Sequence, residues 1–552
     1  MSATASKIRL ATGWVLRGRA GLYLFAAVAC FYFATMSREV PWGDARPVYE
    51  VAVSMVQGRG VSVPMRWPSD AEPGRDGKFY GPHPWLPSLL HLPGVAVRAV
   101  LQNFKMGPDV AHMVDVFSCH LAGGLLGALL AWLFFRLCLR HGASPKVARW
   151  AAILLVLGSM VWVYARSPFT EIVQIVCFTG FFLELSQLAR RLDRRTALAA
   201  GLWAGMLLNT KYIYALCMPG ALLVVAFEHR LAWRPLLRAL GFVAVGFLAG
   251  VFMLLLYNFI RFGSVTKTGY TNVAGVMVEN VLLSTWGFLF SPGKSIFLYT
   301  PPLVLAALGL PRFWRSQRVT VLAMLATIVP VMFVYLRFPA WPGDWSWGPR
   351  YAVFAVPVLL LPAISFLSAA RWPGRTLAAG LLVAGLCVQI LGNAFYWDHF
   401  LRIALEVRTK WLGQANRSAS LTADKGGFCE GCFEDVYPTV WLPPFQPILG
   451  HFWLLRHVPF EDSYQQAAQD APWRRHTRLA MDGKGTYDRA RVDHWFYDTR
   501  QHRVAGWFVL ILLSGGAAGA GVMFVRRTRD PESHAPSAPG FAMNSRSERT
   551  DL

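Results

Sequence analysis

Charged residues are scarce in this sequence. Of its 552 residues, 15% are Asp, Glu, Lys or Arg, whereas a soluble domain usually carries about 25%. Hydrophobic residues make up 55% and aromatic residues 14%, so the composition excludes a soluble globular enzyme. Apolar runs of about 18 residues or more recur along the chain, and each is long enough to cross a membrane as a helix. The sequence therefore predicts an all-α polytopic membrane protein.

Acidic residues are fewer than basic ones, 31 against 54, and the net charge is +23. In a soluble protein this excess would suggest a nucleic-acid partner, but here Lys and Arg cluster in alternate loops between the apolar runs. Cationic loops stay in the cytoplasm, so we predict that both termini are cytoplasmic and that nucleic acid is not a partner. About twelve transmembrane helices are predicted, near residues 20–36, 113–135, 148–165, 169–189, 197–210, 212–227, 237–257, 294–311, 319–336, 350–370, 375–396 and 504–525.

The first apolar run is followed by no small-residue cleavage site, and we interpret it as a retained span rather than a signal peptide. Long hydrophilic stretches separate some of the spans and face outward in this topology. The predicted organisation is a cytoplasmic N-terminus (1–19), a transmembrane catalytic region (20–396) with a first outward loop (37–112), an outward-facing segment (397–503), a last transmembrane helix (504–525) and a disordered cytoplasmic tail (526–552).

Cysteine is also infrequent, with eight residues, six of which lie in or beside apolar runs. There they pack as small apolar side chains. Cys429 and Cys432 instead form Cys-Glu-Gly-Cys in the outward-facing segment. That segment faces an oxidising compartment, so a local disulfide is predicted. A zinc site would need two further ligands, and nothing in the sequence points to them.

The first outward loop carries Asp44 in Trp-Gly-Asp44, just before an amphipathic stretch closed by Gly58. The spacing predicts an interfacial helix on the membrane. Asp44 is either its N-cap or a functional carboxylate, and the two roles are compatible. Tyr80 and His83 follow in a proline-rich stretch in which we expect no long straight helix. His83 could hold a phosphate or an acceptor hydroxyl, or be a structural hydrogen-bonded residue.

Three further short segments are predicted at the outer surface. Arg166 and Glu171 lie within one turn of each other, and they either pair together or serve a site. Lys211 stands in an apolar context and should meet an anion or water, or extend to the surface. The Ser-Pro-Gly-Lys-Ser segment at 291–295 does not have the spacing of a phosphate-binding loop, and no strand precedes it.

The densest group of polar and aromatic residues lies between the ninth and tenth predicted spans. It includes Asp344, Trp345, Trp347 and Arg350. An interfacial aromatic belt would explain the tryptophans but does not require the Asp and the Arg. Aromatic faces suit sugar rings or prenyl tails, and the planar guanidinium of Arg350 suits a phosphate. We therefore favour a functional loop.

In their order and placement on one side of the membrane, these segments resemble the GT-C superfamily of integral-membrane glycosyltransferases. They are similar to the bacterial branch related to protein O-mannosyltransferases and the lipid A aminoarabinose transferase. The resemblance covers roughly the first eleven spans. Protein mannosyltransferases often carry Glu directly after the Asp of the first loop, whereas Ala45 follows Asp44 here. This difference argues against protein as the acceptor.

The resemblance implies inverting transfer of a sugar from a polyprenyl-phosphate-linked donor to a hydroxyl of a glycan or lipid. The reaction would occur on the outer face of the cytoplasmic (inner) membrane, and a divalent metal is left open as a cofactor. Asp44 would be the general base. Donor phosphate would be bound by Lys211, Arg350 and His83, and other substrate groups by Glu171, Asp344, Tyr80, Trp345 and Trp347.

Two other classes of protein remain as alternatives. A twelve-span chain also suits a secondary transporter or a flippase for an envelope lipid or glycan. In that class the coupling residues lie near the middle of the bilayer, whereas the ionisable residues here gather at the outer ends of the spans. An envelope scaffold would leave these residues unexplained. The glycosyltransferase is therefore the preferred prediction.

Overall fold

A computed structural model describes most of the chain. The described residues are 20–40, 44–64, 71–167, 169–270, 279–343, 346–411, 437–473, 487–498 and 503–529.

Long apolar helices make up most of the described structure. Seven of them, within the described residues, are long and apolar enough to cross a membrane: Val110–Arg140, Glu171–Leu188, Trp233–Phe262, Leu303–Arg337, Arg350–Ala369, Trp372–Ala394 and Gly506–Thr528. Four shorter apolar helices are Ala20–Ala34, Trp85–Leu101, Tyr212–Glu228 and Val281–Phe290. The other helices with assigned bounds include Ala45–Val56, Pro145–Gly158, Val161–Ala165, Arg194–Leu208, Ile296–Tyr299, Trp397–Trp411, Tyr437–Trp441, Pro447–His457 and Tyr464–Ala467. The predicted all-α polytopic membrane class is confirmed.

Several predicted spans are interrupted, and proline explains two of the interruptions. The span predicted at 294–311 consists of a short helix, Ile296–Tyr299, and a longer helix that starts at Leu303. Pro301 and Pro302 lie between them. Proline donates no N–H and disfavours helical backbone in the residue before it. The span predicted at 350–370 is divided in the same way, at Pro357 and Pro362, into a 3₁₀ segment and two short helices.

One predicted inner loop is a kink in the structure. The sequence separates the spans at 294–311 and 319–336, but the helix Leu303–Arg337 passes through both. Its only non-helical backbone angles are at Gln317, with φ of −139° and ψ of 39°. The cationic residues expected in a loop here therefore lie on a bent helix.

The first outward loop contains the predicted amphipathic helix, Ala45–Val56, followed by Gly58 with a φ of 71°. The expectation of no long helix around residues 78–93 is wrong, because a 17-residue helix runs from Trp85 to Leu101. Pro87 is tolerated in its first turn, where no N–H partner is needed, and Pro93 lies inside. A two-stranded antiparallel hairpin, Glu72–Pro73 with Phe79–Tyr80, precedes this helix.

The helices of residues 437–457, in the segment predicted to face outward, pack against residues 291–295. Gly293 N–H donates to the carbonyl of Val440 at 3.0 Å. A Cβ on Gly293 would lie 1.8 Å from the Thr439 carbonyl oxygen, so only glycine allows this approach. The segment therefore closes directly over residues 291–295.

Candidate active site

Arg350 connects two of the predicted carboxylates. Its Nη1 lies 2.9 Å from Oδ2 of Asp44, and its Nε lies 2.6 Å from Oε1 of Glu171. The guanidinium stands over the ring of Phe169, 4.7 Å from its centroid. Arg350 starts the 3₁₀ segment Arg350–Ala355, Asp44 precedes the helix Ala45–Val56, and Glu171 begins the helix Glu171–Leu188. Three distant parts of the chain thus meet at one guanidinium.

The two carboxylates differ in exposure. The Glu171 side chain is 4% exposed, whereas that of Asp44 is 48% exposed. Asp44 stands at the N-cap position, but its side chain makes no capping hydrogen bond. Desolvation by neighbouring protein acts to raise the pKa of Asp44, but the charges of Arg350 and Lys211 outweigh it and hold the pKa below its ordinary value. Asp44 is therefore an ionised, accessible carboxylate.

Lys211 approaches the same group from another side. Its Nζ lies over a pair of stacked rings, 5.3 Å from the centroid of Tyr335 and 4.9 Å from that of Tyr351. These two rings are parallel within 5°, with centroids 4.4 Å apart. Among the described residues, no carboxylate forms an ion pair with Lys211. A partly buried cation held on aromatic faces beside Arg350 is suited to receive an anion.

His83 is neutral at the site. Burial lowers its pKa to about 4, an effect that the charges of Lys211 and Arg350 increase and that of Asp44 opposes. Nδ1 of His83 is hydrogen-bonded to the hydroxyl of Tyr270 at 3.1 Å. Burial raises the pKa of Tyr270, so the phenol keeps its proton and either donates to Nδ1 or accepts from it. A neutral His83 carries one ring proton, so Nε2 donates a hydrogen bond in one tautomer and accepts one in the other, and the ring brings no positive charge.

Arg261 holds the chain segment that carries His83. Its Nη1 donates to the carbonyls of Gly81, at 2.5 Å, and His83, at 3.1 Å. Its Nη2 donates to Oδ1 of Asn258 at 2.7 Å. Arg261 lies near the end of the helix Trp233–Phe262, and this contact fixes the first outward loop to that span.

The loop before Arg350 is hydrogen-bonded to two buried side chains, those of Lys294 and Tyr164. Lys294, which is fully buried, donates from Nζ to the carbonyls of Ser346, at 2.8 Å, and Gly348, at 3.1 Å. The hydroxyl of Tyr164 donates to the carbonyl of Trp347 at 2.9 Å. The segment 291–295 thus has a structural contact with this loop.

Arg166 and Glu171 do not pair with each other. Nη2 of Arg166 lies 3.4 Å from Oδ2 of Asp493, and both side chains are at most 5% exposed. Asp493 also accepts hydrogen bonds from the hydroxyl of Ser37, at 2.7 Å, and from the N–H of Arg38, at 3.0 Å. Glu171 therefore belongs to the Arg350 group, and Arg166 fixes the end of the outward-facing segment to the start of the first loop.

The remaining predicted site residues lie apart from the Arg350 group or outside the described residues. Tyr80 is buried, donates to Asp76 at 3.0 Å and packs edge-on against Phe262. Trp347 is 1% exposed between Tyr299 and His451, which leaves it no open face in this state. Asp344, Trp345, Cys429 and Cys432 lie outside the described residues. Their roles stay predictions.

A divalent metal site would need several His, Cys, Asp or Glu side chains close together. Among the described residues, no group of three or more such side chains is placed to hold a metal ion. Asp344, a further carboxylate of the predicted site, lies outside the described residues. The metal therefore stays an open prediction.

The sequence did not point to three residues that shape the site. Tyr270 is hydrogen-bonded to His83, Phe169 lies under Arg350, and Lys294 supports the preceding loop. Lys294 alone had a recognisable signal, a lysine within a strongly apolar stretch. Tyr270 and Phe169 are ordinary aromatic residues in a sequence with 14% of them, and only the folded chain distinguishes them.

Fold and site together define a multi-pass α-helical membrane protein with a buried cation shared by two carboxylates at the ends of its helices. No protein-family model and no curated protein matches the sequence. The structure is similar to ArnT from Cupriavidus metallidurans bound to undecaprenyl phosphate, with 14% identity and a TM-score of 0.43 over 93% of this chain and 79% of that one. It is also similar to the apo state of ArnT, with 15% identity and a TM-score of 0.44 over 92% and 78% of the two chains. ArnT is the aminoarabinose transferase that the sequence resemblance names.

Proposed function

We propose that the protein transfers a sugar from a polyprenyl-phosphate-linked donor to a hydroxyl of a glycan or lipid acceptor, on the outer face of the cytoplasmic membrane. The observation that carries the proposal is the Asp44–Arg350–Glu171 group. It combines an accessible ionised carboxylate with a guanidinium that a second, buried carboxylate holds in place. A base beside a fixed cation is what glycosyl transfer from a phosphate carrier requires.

In the proposed reaction, Asp44 takes the proton of the acceptor hydroxyl as its oxygen attacks the anomeric carbon of the donor sugar. The bond between that carbon and the phosphate oxygen breaks, and the electron pair leaves with the polyprenyl phosphate. The configuration at the anomeric carbon is inverted. The leaving phosphate gains one negative charge, which Arg350 and Lys211 stabilise, while His83, in the tautomer with the proton on Nε2, donates to a phosphate or sugar oxygen.

Arg350 must be shared between Asp44 and the donor. In the structure it binds Asp44 at 2.9 Å, and this pairing weakens Asp44 as a base. A donor phosphate that competes for Nη1 removes part of that attraction, so the pKa of Asp44 rises when the donor binds. Glu171, at 2.6 Å, keeps the other edge of the guanidinium in place during the exchange. Binding of the donor thus makes Asp44 a stronger base.

The proposal is tested by measuring release of free polyprenyl phosphate from carrier-linked sugar lipids, with an envelope extract as the acceptor. The Asp44→Asn variant removes the base, and we expect a decrease in rate of roughly 10²- to 10⁴-fold. Asp488→Asn changes an exposed carboxylate outside the site and serves as the control. Equal release by wild type and Asp44→Asn contradicts the role of Asp44. Absence of release from every form contradicts the transferase and favours the transporter or flippase.

A further inference from the structure

A cavity lined by charged and apolar residues lies beside the helix Ala45–Val56, apart from the Asp44–Arg350–Glu171 group. It has a volume of about 480 Å³, within the range of small-molecule sites, roughly 300 to 1,000 Å³. Its charged lining residues are Arg46, Glu50, Arg59, Arg98 and Asp115. No role assigned to the site so far uses this cavity.

The cavity faces the side of the helix that is turned away from Asp44. Arg46, Tyr49, Glu50, Val53 and Gln57 line it, and at 3.6 residues per turn they point roughly 140° to 240° around the helix axis from Asp44. Pro47 also lines it, on the side nearer Asp44. Because an α-helix with its side chains is about 10 to 12 Å wide, a group bound against the first five residues lies across the helix from Asp44. The cavity is therefore a separate subsite. Val40, which precedes this helix, also lines it, so the cavity extends past the N-terminal end of the helix.

Four of the five charged lining residues form two ion pairs, and Arg59 forms no ion pair among the described residues. Arg46 donates from Nε and Nη2 to Oε1 of Glu50, at 3.2 and 3.0 Å. Nε of Arg98 lies 2.5 Å from Oδ1 of Asp115. Within the described residues, Oε2 of Glu50 and Oδ2 of Asp115 accept no hydrogen bond, and Nη1 of Arg46 and both Nη atoms of Arg98 donate none. Each pair thus offers both unused donors and unused acceptors.

This mixture of donors and acceptors selects the class of ligand. An anion would be attracted by the arginines but repelled by the carboxylates of Glu50 and Asp115, which line the same cavity. A hydroxyl group both donates and accepts, so neighbouring hydroxyls of a sugar ring can bond to a carboxylate and a guanidinium together. Tyr49 and Val53 supply apolar surface for the ring. An uncharged saccharide can use the donors and the acceptors of both ion pairs, whereas an anion can use only the donors.

We propose that this cavity binds a sugar residue of the acceptor. It is a different residue from the one whose hydroxyl reacts at Asp44. The acceptor is accordingly an oligosaccharide or the glycan part of a glycolipid, and not a simple lipid headgroup. This inference rests on the proposed function for its link to the reaction, but the binding of a saccharide can be measured without it.

Val53→Trp fills the cavity, and Val56→Trp is the control. Val56 is on the same helix, is 37% exposed and does not line the cavity. The probe is the water-soluble oligosaccharide pool released from envelope glycans by mild acid and fractionated by size. Its binding to the purified full-length protein is measured by saturation-transfer NMR. We expect wild type and Val56→Trp to bind fractions larger than a monosaccharide, and Val53→Trp to lose at least tenfold in affinity.

A second variant removes charge without filling the space. Arg98→Gln combined with Asp115→Asn should weaken binding of the same fractions about tenfold while the thermal transition of the protein is retained. Failure of every fraction to bind the wild type, or equal binding by Val53→Trp and wild type, overturns the inference. Preferential binding of inorganic phosphate over the oligosaccharides also overturns it, since it would identify an anion site.

Transfer assays then separate this inference from the proposed function. With intact glycolipid as the acceptor, Val53→Trp should raise the acceptor KM at least tenfold. Saccharide binding by a wild type that never consumes donor would contradict the proposed function but keep the cavity assignment. Normal transfer by Val53→Trp would instead contradict the assignment of the cavity to the acceptor.

Discussion

Arg350 is paired with two carboxylates that differ in exposure and in role. Glu171 is almost fully buried and cannot be replaced by solvent or substrate, whereas half of the Asp44 side chain is open. A buried charge without a partner is costly, so Glu171 keeps Arg350 charged and oriented when Asp44 leaves it. The open carboxylate is therefore the one that substrate can displace.

The pH dependence of transfer should report the attraction between Asp44 and Arg350. Because the pKa of Asp44 is depressed, it stays ionised as the pH falls to 5, and activity lost to its protonation should appear only below its ordinary value. Arg350→Met removes the largest opposing charge, so the pKa rises and the acid limb of kcat/KM should move to higher pH. Lys267→Met, a change at an exposed outer lysine, should leave that limb in place. An unchanged limb in Arg350→Met would contradict the coupling.

Lys294 should act on the site through the loop that it supports. Lys294→Met leaves the carbonyls of Ser346 and Gly348 without this donor, at a cost of about 1 to 3 kcal/mol for each buried group left unsatisfied. We expect a lower Tm in detergent and a higher donor KM, because Arg350 is then less well placed. Lys294→Arg should recover part of both. A variant with lower Tm but an unchanged donor KM would limit Lys294 to a structural role.

Part of the site could be predicted from the sequence. Asp44, Glu171, Lys211 and Arg350 were grouped because each is an ionisable residue at the outer end of a predicted span, and the structure brings them together. The partner of Arg166 could not be predicted, because Asp493 follows Arg166 by more than 300 residues. Local spacing favours a pair with Glu171, and only packing decides against it.

At the scale of elements, hydropathy located the spans but not their internal breaks. Apolar residues continue through Pro301–Pro302 and through Pro357 and Pro362, so the pattern predicts uninterrupted helices at 294–311 and 350–370. The missing N–H groups of proline end helices there. The opposite error occurred at Trp85–Leu101, where two prolines suggested a break and the helix tolerates both.

The contact between residues 291–295 and the helix Tyr437–Trp441 offers a test at this scale. Gly293→Ala would place a Cβ 1.8 Å from the Thr439 carbonyl oxygen, so the two segments must separate. We expect a lower Tm and reduced transfer, because Lys294 moves with Gly293. Gly380→Ala is the matched control, since a Cβ there meets nothing within 4 Å and alanine favours a helix. Equal Tm values for the two variants would contradict the proposed close contact.

For the whole molecule, the distribution of Lys and Arg predicts which side each loop faces. Lys78 in the first outward loop should be outside, and Arg230 after the helix Cys217–Glu228 should be inside. In a cysteine-free background, Lys78→Cys should react with a membrane-impermeant maleimide in intact cells. Arg230→Cys should react only after permeabilisation. Reversed labelling would place the Asp44–Arg350–Glu171 group on the cytoplasmic side and contradict the outward orientation.

The ion pair between Arg166 and Asp493 also has a consequence for biosynthesis. The two residues are 327 positions apart, and at roughly 5 to 20 residues per second a ribosome needs about 16 to 65 s to pass from one to the other. During that interval the nascent chain carries an arginine without its final carboxylate at the junction where the first span meets the third. The outer surface near Ser37 can adopt its final form only after almost the whole protein has been inserted. A chain that stops before residue 493 would leave this junction open, as a signal for the quality-control proteases of the membrane.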